Sequence, residues 1–69
     1  MTAEDIEEGD RLLLDDGTVA EVADVRIGIY HFPEGRAQGV AIGWKSGRRA
    51  SGLLFRRASD LLNRVSDGV

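Results

Sequence analysis

The sequence predicts an all-β fold, a small five-stranded antiparallel barrel with a short helical turn before the last strand. Three observations support this prediction. Large apolar residues alternate with small or polar ones in several short runs, which is the period of a half-buried strand. Glycine-containing turns separate these runs. The chain of 69 residues is long enough for one domain with a thin core.

A hairpin at residues 40–55 is expected to organise the core. Val40, Ile42 and Trp44 alternate with small residues, so the three large side chains share one face of a strand. Gly47 suits the left-handed position of a three-residue loop, where a residue with a Cβ would be strained. We therefore predict two strands that fold back on each other at this loop.

The remaining strands follow from the same alternation. The predicted strands lie near residues 10–14, 18–29, 39–44, 48–55 and 64–65. The predicted core consists mainly of Leu12, Val22, Ile27, Val40, Ile42, Trp44, Leu53, Phe55 and Leu61. Leu54 falls on the face opposite to Leu53 and Phe55. Because a barrel covers only its inner face, Leu13 or Leu54 is expected in an interface, which predicts a homo-oligomer.

Two features shape the first half of the chain. The Asp-Asp-Gly sequence at residues 15–17, between apolar runs, predicts a hairpin turn. In the long second strand, Val22 fits one alternation and Val25 fits the other, which predicts a β-bulge near residues 23–24. A helix over residues 19–25 is the alternative, and the β-branched residues there disfavour it.

Residues 30–38 interrupt the strand pattern and are predicted to form a long loop. This segment contains the only proline, histidine and tyrosine of the chain. Aromatic residues on a loop of a rigid scaffold are typical of a binding site. The alternative is that Tyr30 or Phe32 folds back and covers one end of the barrel.

The predicted domain organisation is a single barrel over residues 9–65. An acidic, frayed lead-in at residues 1–8 precedes it, and a tail at residues 66–69 follows it. Before the last strand, residues 58–63 are predicted to form a helical or 3₁₀ turn capped by Ser59. The acidic start, the absence of cysteine and the absence of a long apolar run predict a cytoplasmic protein.

Charge is distributed unevenly along the chain. The first 24 residues contain nine acidic residues and one arginine, whereas the remaining residues contain eight basic and three acidic ones. Such asymmetry is typical of an interaction surface. The alternative is that the two parts lie side by side and neutralise each other, since opposite charges are favoured in cross-strand pairs.

Little in the sequence indicates catalysis. His31 is the only histidine and cysteine is absent, so one chain cannot provide the usual nitrogen and sulfur ligands of a zinc site. The acidic cluster at residues 4–10 lacks the spacing of a calcium-binding loop. We therefore predict a protein that is not an enzyme, with no catalytic residue, no metal and no cofactor.

A binding function is expected instead, in one of two versions. The first is a non-catalytic module that recognises a protein partner through the aromatic long loop and the central hairpin. The alternative is a nucleic-acid-binding barrel that contacts phosphates through the basic cluster of Lys45, Arg48, Arg49, Arg56 and Arg57. The predicted partner-binding residues are Tyr30, His31, Phe32, Arg36, Lys45, Arg48, Arg49, Arg56 and Arg57. Because Arg56 and Arg57 are adjacent in a strand, only one of them can join a common patch.

The layout resembles a known family. The resemblance lies in Gly9–Leu12, the Asp16–Gly17 turn, Pro33–Gly35 and the ending Leu62–Val65. These residues and their order resemble the plasmid-borne, trimethoprim-insensitive dihydrofolate reductases, which are SH3-like barrels that work as homotetramers. The resemblance implies an SH3-like barrel in a small bacterial or phage protein. That family lines its pore, where folate and NADPH meet, with a Val-Gln-Ile-Tyr run. Residues 52–55 here are Gly-Leu-Leu-Phe, so the resemblance does not extend to the reductase site.

Overall fold

The computed structural model describes residues 1–48 and 50–65. Its elements are a 3₁₀ turn at Ala3–Asp5 and the strands β1 Arg11–Leu13, β2 Val19–Phe32, β3 Gly35–Ser46 and β4 Ala50–Arg57. The strands form one antiparallel sheet in the order β1-β2-β3-β4. The sheet curls into a half-barrel. The all-β prediction is therefore confirmed, whereas a closed barrel of five strands is not confirmed.

The predicted fifth strand at residues 64–65 is reduced to an isolated bridge between Arg64 and Leu12. The N–H groups of Leu13 and Val65 donate main-chain hydrogen bonds across this contact, each 2.8 Å long. The C-terminal segment thus lies along β1 without forming a regular strand. It satisfies part of the edge that β1 would otherwise leave unpaired.

The predicted helical turn at residues 58–63 is wrong. The chain makes only a simple turn there, and the carboxylate of Asp60 accepts a 2.9 Å hydrogen bond from the N–H of Arg57. Asp60, rather than Ser59, therefore provides the side chain that satisfies the main chain at this turn. The 3₁₀ turn described for this chain lies at Ala3–Asp5 instead. Within the described residues, no helix has the length and apolar character needed to cross a membrane.

The predicted bulge in β2 is confirmed. The pairing of β2 with β3 shifts between Val22 and Asp24, so Ala23 is the extra residue. Val22 is buried, and Val25 packs against the buried cluster. The bulge accommodates Ala23 without changing the sides of its neighbours, so both valines lie on the face that carries the core, the inner face.

The predicted long loop at residues 30–38 is wrong. β2 and β3 continue through this segment, and only Pro33 and Glu34 form the turn between them. Proline presets the φ of a turn residue, and Gly35 adopts a positive φ of 127°. We call residues 26–38 the hairpin arm. Its aromatic side chains lie on paired strands, not on a loop.

The two other predicted turns contain glycines in the left-handed region. Gly17 has a φ of 88° and Gly47 has a φ of 65°. In the first turn, the carboxylate of Asp16 accepts a 2.9 Å hydrogen bond from the N–H of Thr18. This bond from Thr18 lowers the pKa of Asp16 below its ordinary value, because it favours the charged carboxylate.

The buried core lies on the inner face of the sheet. Its members are Ala3, Ile6, Leu12, Ala20, Val22, Val40 and Ile42. Leu12, Val22, Val40 and Ile42 are predicted core residues, and their burial is confirmed. Partly buried side chains surround this cluster, namely Met1, Leu14, Val25, Leu54 and Leu62. Leu54 therefore packs against the core, while Leu13, the other residue expected in an interface, is exposed.

Four predicted core residues are exposed instead, namely Ile27 (61%), Leu53 (65%), Phe55 (47%) and Leu61 (81%). Leu53 and Phe55 lie on the opposite side of β4 from Leu54, so they face away from the core. Ile27 faces inward as the cross-strand partner of the buried Val40, but its own side chain is left exposed. The predicted homo-oligomer stays a prediction.

Trp44 is half-buried on the inner face. Its indole ring lies against Gly52 of β4, where an added Cβ would be only 2.9 Å from a ring carbon. The glycine therefore makes the space that the tryptophan occupies. The indole Nε1 is enclosed and finds no hydrogen-bond partner among the described residues.

The acidic lead-in at residues 1–8 is not frayed. Ala3 and Ile6 are buried, and the N–H of Leu62 donates a 2.8 Å hydrogen bond to the carbonyl oxygen of Met1. A single sheet buries its apolar face only when a second layer covers it. The N-terminal segment, together with the C-terminal segment, supplies that layer.

Candidate functional site

The outer face of the sheet, opposite the core, carries the candidate site. The strand register defines its rows across β2, β3 and β4, which are Asp24–Gly43–Leu53, Arg26–Ala41–Phe55 and Gly28–Gly39–Arg57. Tyr30 and Phe32 lie farther along the hairpin arm on the same face. The β3 member of each row is glycine or alanine. The larger side chains of β2 and β4 therefore flank and partly cover β3, whose side chains are small on this face.

Tyr30 folds back along β2 over Gly28. An added Cβ at Gly28 would be 3.4 Å from the hydroxyl oxygen of Tyr30, and this hydroxyl donates a 3.0 Å hydrogen bond to the carbonyl oxygen of Arg26. The ring meets that of Phe55 edge to face, with 5.5 Å between the centroids. Such aromatic pairs stabilise beyond the area they bury. The hydrogen bond and the ring pair fix Tyr30 against the sheet.

Phe32 lies over Gly39, the cross-strand partner of Gly28. An added Cβ at Gly39 would be 2.9 Å from the Phe32 ring. The guanidinium of Arg57 lies over the same ring, 5.4 Å from its centroid, and pairs with the carboxylate of Glu34. The ring is thus held between a glycine and a cation, an arrangement that is favourable electrostatically.

Carboxylates neutralise other cations on the outer face. Arg26 bonds to Asp24 at 3.1 Å, and Lys45 lies 4.0 Å from Glu21 on the neighbouring strand. The Lys45–Glu21 pair joins the acidic first 24 residues to the basic remainder across two strands, whereas Asp24 and Arg26 are near neighbours on β2. The cross-strand pair is the arrangement that the neutralisation alternative predicts. The exposed pairs add little stability individually, since solvent screens them.

The predicted basic cluster is not assembled on one face. Arg57 lies on the outer face. Arg56, the cross-strand neighbour of Val40, lies on the inner side, beside a recess of about 340 Å³. Lys45 lies several rows away and is already paired. Arg48 lies in the turn before β4, and Arg49 is outside the described residues.

The aromatic half of the predicted site is partly brought together. Tyr30, Phe32 and Arg57 all lie on the outer face, where Arg57 contacts the Phe32 ring and Tyr30 contacts Phe55. His31 and Arg36 are cross-strand partners near the tip of the hairpin arm, and the alternation places both on its other side. These two exposed residues therefore do not share a surface with the rings.

Sequence reasoning missed Leu53 and the two glycines below the aromatic rings. Gly28 and Gly39 lie equally far from the Pro33–Glu34 turn, so a two-residue hairpin at that turn would have paired them. The long-loop prediction hid this signal. For Leu53 no comparable signal exists, because the alternation of β4 does not say which side faces the core.

The outer face offers the aromatic rings of Tyr30, Phe32 and Phe55 and the aliphatic side chain of Leu53 for binding. Ion pairs with no net charge border this apolar surface. A scan of protein-family models, a search of curated proteins and a search of solved structures each found no match to this chain. Function is therefore inferred from the surface itself.

Proposed function

We propose that the protein is a small, non-catalytic binding module that recognises a protein partner through its outer face. The observation that carries this proposal is the exposure of Leu53 and Phe55 beside the fixed rings of Tyr30 and Phe32. Interface centres are poor in free charge and rich in aromatic residues and arginine, with a polar rim. We infer an SH3-like barrel as the parent architecture, with which the curled antiparallel sheet is compatible.

The charge arrangement favours a protein partner over a nucleic acid. Phosphate recognition requires cations that can replace the counterions of the backbone. On the outer face, Arg26 and Arg57 are paired with carboxylates. A protein surface can use such neutral pairs as a rim, whereas a polyanion gains little from them.

Partner capture tests this proposal. The immobilised protein is exposed to an extract of its native cells, and retained proteins are quantified by mass spectrometry. We expect Tyr30→Ser to abolish specific retention, because it removes a ring from the outer face and the contact with Phe55.

The matched control is Leu61→Ser, which removes an exposed apolar side chain from the C-terminal segment. It should retain the same proteins as the wild type. Circular dichroism establishes that both variants are folded. If folded Tyr30→Ser retains the same proteins as the wild type, the outer face is not the binding surface.

A further inference from the structure

The free edge of β4 has a defined set of unpaired main-chain groups. The N–H of Ala58 donates a 3.1 Å hydrogen bond to the carbonyl oxygen of Gln38, in register with the β3–β4 ladder. In an antiparallel ladder, hydrogen-bonded residues alternate with residues whose N–H and C=O point away. The main-chain groups of Ser51, Leu53 and Phe55 therefore point away from β3.

The C-terminal end of this edge is closed. The carboxylate of Asp60 accepts a hydrogen bond from the N–H of Arg57, and the N–H of Asp60 donates to the carbonyl oxygen of Arg57 at 3.0 Å. The guanidinium of Arg56 donates a 2.9 Å hydrogen bond to the carbonyl oxygen of Phe55. Such blocking groups are typical of managed sheet edges. Among the described residues, nothing comparable covers Ser51 and Leu53.

The charges beside the uncovered part of the β4 edge indicate which kind of strand could pair with it, a second copy of β4 or a strand from a partner. Residues 50–55 are uncharged, and the sequence has an arginine pair at each end, at positions 48–49 and 56–57. Among the described residues, neither Arg48 nor Arg56 forms an ion pair. If two copies paired antiparallel through β4, the arginine-bearing start of one strand would lie opposite the arginine-bearing end of the other, and like charges across strands are destabilising. A strand with acidic ends would instead meet an arginine at each end.

We propose that the β4 edge accepts, as an added strand, an extended segment of a protein partner that is apolar at alternate positions and acidic at both ends. Strand addition of this kind gains affinity from main-chain bonds and specificity from alternate side chains. The apolar side chains of the added strand would lie beside Leu53 and Phe55 on the outer face. This inference rests on the proposed function. It adds that the partner binds by strand addition and states the chemistry of the segment that binds.

The test titrates two synthetic peptides into isotope-labelled protein and follows amide resonances. The first peptide is Glu-Glu-Val-Thr-Val-Thr-Glu-Glu with blocked ends, and the second replaces each glutamate with lysine. With the first peptide, amide exchange at Ser51 and Leu53, the residues with an uncovered edge, should slow by about tenfold or more. Gly52 and Leu54 already bond to β3 and should change little. The lysine peptide should bind at least about tenfold more weakly.

Charge reversal provides the second arm. The double variant Arg48→Glu with Arg56→Glu should prefer the lysine peptide, and folding of that variant is checked from its resonances. Equal binding of both peptides by the wild type, absence of binding at millimolar concentration, or shifts confined to Tyr30 and Phe32 would each overturn strand addition. Shifts at β4 that grow with protein concentration alone would assign the edge to a second copy.

Failure of this inference is distinguishable from failure of the proposed function. If partner capture depends on Tyr30 while the β4 amides stay unaffected by either peptide, the outer face binds and the edge does not. If folded Tyr30→Ser retains every partner, the outer-face proposal fails whatever the peptides do.

Discussion

Small residues decide the shape of the outer face. Gly28 and Gly39 form one cross-strand pair, and each lies below an aromatic ring. The two positions differ in how closely other atoms approach. An added Cβ at Gly39 would be 2.7 Å from the carbonyl oxygen of Arg56, whereas the nearest atom to one at Gly28 would be 3.4 Å away. The first distance requires movement of the backbone, and the second is an ordinary contact.

Gly39→Ala should therefore destabilise the fold by about 1–3 kcal/mol, the usual cost of overpacking a filled site. In a domain of this size, 1 kcal/mol corresponds to a shift of roughly 4–8 °C in the melting temperature. Thermal unfolding followed by circular dichroism measures the change. Gly28→Ala is the matched control and should stay within about 0.5 kcal/mol of the wild type. Equal melting temperatures for the two variants would contradict the close approach at Gly39.

The strand β4 contributes side chains to both the buried core and the exposed outer face. Leu54 packs against the buried cluster, and Leu53, the residue before it, is exposed on the outer face. The two leucines have the same chemistry and strand context, so only their direction differs. This makes them an internal comparison of core and surface within one strand.

Leu54→Ala should cost about 2 kcal/mol or more, because it removes apolar contacts and leaves a cavity. Leu53→Ala should change the free energy of unfolding by no more than about 0.5 kcal/mol, as is usual at exposed positions. Urea denaturation followed by Trp44 fluorescence measures both. A larger loss for Leu53→Ala would mean that the outer face is covered in the folded protein.

Local patterns predicted β2, its bulge and the inward side of β3, because the positions of Val22 and Val25 and the alternation of Val40 and Ile42 constrain them. The inward side of β4 depended on packing with distant residues. Leu53, Leu54 and Phe55 are all apolar, so their order does not identify the buried one. The sequence does not predict the arm, because a proline followed by Glu34 and Gly35 is typical of a long loop as well as of a two-residue turn. The order of residues likewise could not show that Phe32 would lie over Gly39.

In the folded molecule, ion pairs neutralise part of the uneven charge. On the sheet, Lys45 pairs with Glu21 across two strands, and Arg26 pairs with its near neighbour Asp24 on β2. At the far edge, Arg64 lies 3.3 Å from Asp10. Sequence asymmetry therefore does not translate into a basic surface of the same size.

We expect weak binding to nucleic acid with a shallow salt dependence. Each phosphate neutralised on duplex DNA contributes a slope of roughly −0.9 to a plot of log affinity against log salt. With Arg56 and Arg57 on opposite faces, the slope should stay near that of one or two contacts. Fluorescence anisotropy of labelled single-stranded and duplex DNA and RNA at several salt concentrations measures it. A slope equivalent to four or more phosphates would reinstate the basic cluster as a binding surface.

The bulge at Ala23 bears on two properties of β2, namely the face on which each side chain lies and the curvature of the strand. Shortening β2 by this one residue would leave every other side chain on its present face, since Val22 points inward, Asp24 outward and Val25 inward again. The additional residue is therefore dispensable for sorting apolar from polar groups. What it provides is curvature, because a bulge bends and twists its strand locally. A straighter β2 would flatten the sheet at this point, next to the row in which Val22 lies opposite Trp44.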